Sequence, residues 1–122
     1  MSDTNTIRER LLQIIESAEL IIERSEWINS PQEFMLSPER VMVFDSVVMR
    51  LQVIGEQIGK LLKENPCPLS SHPEINWKDV YGMRNFISHE YANVDEVIIY
   101  DVVKNELPTL LSAVNDILLR LQ

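Results

Sequence analysis

Apolar residues recur at three- and four-residue steps through most of this chain. Between Thr6 and Trp27 they fall at Ile7, Leu11, Ile14, Ala18 and Ile21, with Leu12, Ile15 and Ile22 widening the stripe. That period predicts an amphipathic first helix. Thr4 or Thr6 suits its N-cap, and Glu9 follows Thr6 by three positions as in a capping box. Asn29-Ser30-Pro31 interrupts the pattern, and a short turn after it is expected to tuck Phe34 inward. Ser37-Pro38-Glu39 then reads as a helix start: a serine cap, a proline at the first position and an acid in the first turn. The second helix extends from about Pro38 to Lys63. Its seam is Val41, Phe44, Val48, Leu51, Gly55, Ile58 and Leu62, a seven-residue repeat. Glycine inside a helix costs about 1 kcal/mol against alanine. Gly55, in the middle of the seam, therefore predicts close approach of another helix.

Glu64 to Asn76 carries Pro66, Pro68 and Pro73 and is expected to be an irregular loop. His72 within it reads as an exposed loop histidine with no metal-ligand spacing around it. Asn76 caps a third helix, with Asp79 three positions on. Trp77, Val80, Tyr81, Phe86 and Ile87 supply its apolar surface, and it ends near His89 to Tyr91. After a tight connection at Ala92-Asn93-Val94, Asp95 caps a fourth helix. Its stripe is Val97, Tyr100, Val103, Leu107, Leu110, Val114, Ile117 and Leu121. Pro108 removes a backbone donor there and predicts a kink near Lys104. No segment alternates with a period of two. The fold expected is all-α: one domain over residues 1–122, an antiparallel up-and-down bundle of four main helices with a kinked last helix.

Composition narrows the function classes. The formal net charge of −8 argues against a broad basic surface for nonspecific nucleic-acid binding, though a few arginines can still build a local basic site. A single cysteine, Cys67, allows no internal disulfide and fits a reducing cytoplasm. No apolar run reaches the ~20 residues of a membrane span. The N-terminus lacks the basic and apolar regions of a signal peptide, so a cytoplasmic protein is expected.

The richest chemistry lies in Arg84-Asn85-Phe86-Ile87-Ser88-His89-Glu90-Tyr91. Arginine presents a permanently charged fork of donors that suits phosphate. Histidine, with an ordinary pKa of ~6.5, exchanges a proton near neutrality. Together they can cleave RNA without a metal. His89 would take the 2′-hydroxyl proton or give one to the departing 5′-oxygen, and Arg84 would stabilise charge on the phosphoryl group. Asn85 and Ser88 can position phosphate or sugar. Five residues of regular helix put Arg84 and His89 roughly 140° apart. Sharing a site therefore requires the helix to loosen before His89, or a two-fold dimer that brings both pairs to one cleft. Structural roles suit the same residues. His89 can serve the helix C-terminus, Arg84 can pair with Glu56 or Glu90, and Tyr91 can be a half-buried anchor.

An arginine, four residues, a histidine, one residue and a tyrosine, with a polar residue directly after the arginine, resembles the signature of the HEPN superfamily in its HepT-like toxin branch. Ile54-Gly55-Glu56-Gln57-Ile58-Gly59-Lys60-Leu61 is similar to that branch's Gly-Glu segment, and Ile75 to Met83 resembles its approach to the motif. Val94-Asp95 and Leu107-Pro108 also fall where the branch has them, so the resemblance covers about Val41 to Leu118. The acidic Glu90, between His89 and Tyr91, is a departure from the pattern. The resemblance implies a helical homodimer whose motif lines the interface. It implies a metal-independent endoribonuclease, needing no cofactor, with Arg84 and His89 as the catalytic pair and Asn85 as a polar helper. It further implies an MNT-type nucleotidyltransferase antitoxin as partner, which transfers AMP to Tyr91 and silences the toxin. Two other readings fit the same residues: a non-catalytic HEPN subunit that binds nucleotide or supports its partner, and a purely structural dimer.

Overall fold

The computed structural model describes residues 2–121. Five α-helical segments follow one another: α1 (Ser2–Ser25), α2 (Pro38–Glu64), α3 (Trp77–Glu90), α4 (Glu96–Asp101) and α5 (Leu107–Arg120). A π-helical turn, Val102–Glu106, joins α4 to α5, so these two form one long, irregular fourth helix. Short 3₁₀ turns lie at Pro31–Met35, Cys67–Ser71 and Tyr91–Asn93. Among the described residues there is no strand. The architecture is the expected all-α bundle.

Side-chain pairs give the direction of packing. Arg10 meets Glu64, Gln13 meets Gln57, Ser17 meets Arg50 and Arg24 meets Ser46, so α1 and α2 run antiparallel. Tyr81 lies on Gly59, Arg84 on Gly55, and Ser88 against Gln52, so α3 runs antiparallel to α2 as well. α2 is thus the central helix, packed between α1 and α3, while α1 also packs against α5. This is why α2 buries a wider face than its seven-residue seam. Val47, Ile54, Gln57 and Leu61 are buried beside Phe44, Val48, Leu51, Gly55 and Ile58. Phe34 is fully buried and packs edge-on against Phe44 at 5.2 Å between ring centres, as its place after the break predicted.

Three of the predicted caps form. Ser37 Oγ accepts from the Arg40 amide, Asn76 Oδ1 from the Asp79 amide and Asp95 Oδ1 from the Val97 amide. Each satisfies an amide that the helix leaves without a partner. The first helix differs: it starts at Ser2, so Thr4 and Thr6 lie inside it and the Thr6–Glu9 capping box is not used.

Other differences concern which apolar residues go inside. Leu12 on the first helix's stripe, Tyr81 and Phe86 on the third helix's apolar surface and Val97 in the last helix's stripe are all exposed, whereas Ile99 is buried. The π turn explains the last exchange. It fits an additional residue into its turn, and a stripe extrapolated across it at constant pitch arrives at Val97 instead of Ile99. The Leu107 amide reaches the Val102 carbonyl, five residues back, directly before Pro108. The irregularity therefore sits where the proline predicted one.

His72 is also corrected. It is not a free loop side chain. Its Nδ1 lies 2.8 Å from Glu74 and its Nε2 2.7 Å from Asp116 of α5, so it fastens the α2–α3 connection to the last helix. The Trp77 indole adds to this fastening by donating to the Leu69 carbonyl at 2.9 Å. The loop is long but tied at both ends, which holds the start of α3.

Candidate functional site

α3 carries the motif, and Gly55 determines how closely α3 lies on α2. A β-carbon at Gly55 would collide with the Arg84 side chain and stand 3.1 Å from the Val80 carbonyl oxygen. With hydrogen in its place, the Arg84 stem rests directly on the α2 backbone. The helix–helix approach expected from a mid-seam glycine is present, and the residue that exploits it is the motif arginine.

Arg84 is half-buried, and its Nε is buried without a hydrogen-bond partner. Its Nη1 donates to Asn85 Oδ1 at 3.3 Å. Among the described residues Arg84 forms no salt bridge; Glu56, one acid considered for it, pairs instead with Lys60 at 3.5 Å. A guanidinium held by a neutral amide retains its full charge for an anion, because no carboxylate offsets it.

The remaining motif residues follow the helix. Ser88 accepts a 2.8 Å hydrogen bond from Gln52 of α2. His89 lies in the last turn of α3, exposed and four residues after Asn85, on the same outer face. Glu90 leaves helical geometry at φ −132°, ψ 34°. That change lets Tyr91 reach back to α2, where its hydroxyl donates to Asp45 Oδ1 at 2.9 Å. The bond to the Asp45 carboxylate holds the Tyr91 phenol above its ordinary pKa of 10.0.

The structure therefore joins Arg84 to Asn85, Ser88 to Gln52 and Tyr91 to Asp45. It does not join Arg84 to His89 within one chain. α3 stays helical through His89 and leaves helical geometry only at Glu90, so no loosening precedes the histidine to bring the pair to one face. The motif also lies on open surface. Concavities of about 560 and 340 Å³ occur elsewhere, and neither is lined by Arg84, His89 or Tyr91. Among the described residues no cluster of three or more His, Cys, Asp or Glu side chains is placed to hold a metal ion, and no helix is long and apolar enough to cross a membrane.

Gln52 and Asp45 were not found from the sequence. Both are polar residues on a helix that reads as solvated at those positions. Only the α2–α3 register, set by the glycine contacts, places them beside Ser88 and Tyr91. Given Gly55 against Arg84 and antiparallel helices, counting back along α2 leads to Gln52 beside Ser88; Asp45 lies further back and meets Tyr91 only because Glu90 leaves helical geometry.

Comparison with known proteins gives the family. The model of the family described as "Ribonuclease HepT-like" matches residues 14–117. A protein of Caldanaerobacter subterraneus subsp. tengcongensis, named "Putative RNase", is 36% identical over 73 residues, 60% of this chain and 62% of that one. A "Putative RNase" of Methanocaldococcus jannaschii is 34% identical over 65 residues, 53% of this chain and 51% of the other. A "Probable ribonuclease HepT" of Thermococcus cleftensis is 33% identical over 66 residues, 53% of this chain and 56% of its own. The chain thus spans less than two thirds of the length of each of these relatives. No solved structure matches it. A match over most of the chain, with the motif and its supporting glycine inside it, places this protein in the HepT-like ribonuclease family.

Proposed function

We propose that this chain is the toxin of a HEPN/MNT toxin–antitoxin pair: a cytoplasmic, metal-independent endoribonuclease that works as a homodimer. The observation that carries this reading is the half-buried Arg84 guanidinium, which forms no salt bridge among the described residues and whose Nη1 donates to the neutral Asn85. Held against α2 and beside an amide instead of a carboxylate, this guanidinium keeps its charge and its fork of donors for an external anion.

A phosphodiester of RNA is that anion. Arg84 binds the scissile phosphate, with Asn85 and Ser88 positioning phosphate and sugar. One His89 takes the proton of the 2′-hydroxyl as that oxygen attacks phosphorus. A second His89, across a two-fold axis, gives a proton to the departing 5′-oxygen. The products are a 2′,3′-cyclic phosphate and a 5′-hydroxyl. Arg84 bears the charge that builds on the phosphoryl oxygens between these steps. The dimer supplies what α3 alone lacks, since a continuous helix keeps the arginine and histidine of one chain on different faces.

Silencing follows from the same charges. Transfer of AMP to the Tyr91 hydroxyl by an MNT-type nucleotidyltransferase antitoxin puts a phosphodiester and a bulky nucleoside beside the motif. The added anion competes for the phosphate site.

The test is cleavage of a labelled RNA by the purified protein in EDTA. The parent should produce cyclic-phosphate ends, and Arg84→Ala and His89→Ala should not, with both variants retaining the parental circular dichroism. Activity undiminished in both variants would exclude the assignment. The open, acidic surroundings of the motif, including Glu90, favour a second reading, a non-catalytic subunit supporting its nucleotidyltransferase. RNA left intact under all conditions, alongside tight binding of that partner, would establish it.

A further inference from the structure

The Tyr91 hydroxyl is not free in solvent. It spans from the turn after α3 to Asp45, near the N-terminal end of α2, and donates to Oδ1 at 2.9 Å. Both side chains are exposed, so the pair is open to an approaching molecule. Asp45 takes part in no salt bridge among the described residues, and its recorded hydrogen bond is the one from Tyr91. Neither capping nor ion pairing explains the acid; its contact is with a phenol.

We infer that Asp45 is the proton acceptor that makes Tyr91 a nucleophile toward a nucleoside triphosphate. This rests on the reading of Tyr91 as the site of nucleotidyl transfer. In that transfer the Tyr91 Oη–Pα bond forms, the bond from Pα to the bridging oxygen of the β-phosphate breaks, and pyrophosphate leaves. The hydroxyl proton must go elsewhere, and it already points at Asp45. A carboxylate is a far weaker base than a phenolate, so the proton does not move in the resting protein. It moves as the Oη–P bond forms and the phenol becomes strongly acidic, the order in which a kinase aspartate takes a substrate hydroxyl's proton. The hydrogen bond also fixes the Oη lone pairs away from α2, toward the solvent side from which a nucleotide held by a partner enzyme must arrive. The raised phenol pKa agrees with this: the Asp45 charge opposes a resting phenolate.

The experiment measures single-turnover AMP incorporation by the full chain, with its nucleotidyltransferase partner and Mg-ATP both saturating, between pH 6 and 9. Asp45→Asn keeps an oxygen that accepts the hydrogen bond but cannot hold the proton. It is expected to slow incorporation about 10²-fold at pH 7, with a rate that climbs roughly tenfold per pH unit as hydroxide substitutes for the missing base. Asp45→Glu should recover most of the rate. Tyr91→Phe should take up no label. In parallel, the Tyr91 phenol, followed by ¹³C-tyrosine resonances, should titrate lower in Asp45→Asn than in the parent. A merely structural acid would change neither the slope of the pH profile nor its recovery with glutamate. Equal incorporation by parent and Asp45→Asn at every pH would overturn the role of Asp45 and leave Tyr91 as the modified residue. No AMP on Tyr91 of the parent would overturn both.

Discussion

Arg84 and His89 differ in how the fold treats them. Arg84 is half-buried with its stem seated on Gly55, while His89 stands exposed in the last turn of its helix. Replacing His89 by alanine should leave the fold intact and, on the proposed chemistry, slow RNA cleavage about 10²–10⁴-fold, the usual worth of a positioned acid or base. Replacing Arg84 should also remove cleavage, but with an effect on stability whose sign is instructive. The lost stem packing costs stability, whereas losing a buried unpaired Nε gains some. Chemical denaturation of Arg84→Ala and Arg84→Met separates the two, and the methionine variant should be the more stable. Spacing could identify these residues as candidates. It could not show that the arginine's partner is Asn85 and not Glu56, since that depends on which neighbour a folded helix places within 3.3 Å.

At the scale of elements, the three glycines make distinct predictions. Gly55→Ala forces α3 away from α2, because the obstructing atoms include backbone. It should cost about 1–3 kcal/mol and disturb the motif. Gly59→Ala meets only the exposed Tyr81 ring, which can swing outward, so helix propensity should offset most of the strain. Gly82 has open space around it, and Gly82→Ala should stabilise an isolated subunit by about 0.5–1 kcal/mol. Thermal denaturation ranks the three. The His72 clamp adds a pH signature. Glu74 and Asp116 raise the imidazole above its ordinary 6.5 through hydrogen bonds, and His72 in turn lowers Glu74 from 4.5 and Asp116 from 3.8. A raised histidine stabilises fully below 6.5 and loses that contribution as pH rises through its folded pKa. The lowered carboxylates contribute fully above their ordinary values and lose it as pH falls. The clamp is therefore strongest between about pH 5 and 6.5. Melting temperatures at pH 6 and 8 should differ more for the parent than for His72→Gln.

For the whole molecule the question is what covers the motif face. Met42 and Met49, seven residues apart on α2, are 70% and 64% exposed, and Phe86 on α3 is 46% exposed. Residues seven apart lie on one helix face, and unburied apolar side chains of this size suit a partner surface. If a second copy covers them, the protein should sediment at twice its 14.2 kDa mass. Met49→Glu should then yield a folded monomer that no longer cleaves RNA. A Met49→Glu variant that stays dimeric and active would place the subunit contact elsewhere.

The sequence by itself determined the helices, most of their caps, the break before Phe34, the irregularity near Pro108 and the residues of the motif. Those features depend on local periodicity and on backbone chemistry within a few positions. It also marked Gly55 as a place of close approach, because an unfavourable residue in a helix interior calls for a compensating contact. Only the tertiary structure decided the rest: that Arg84 is what fits against Gly55, that Asp45 and Gln52 stand beside the motif, that His72 bridges two elements, and that Ile99 and not Val97 enters the core. Each of these depends on which residues two helices bring together across dozens of positions, or on a single extra residue in a turn. A periodic pattern carries no register between elements, so packing alone could settle them.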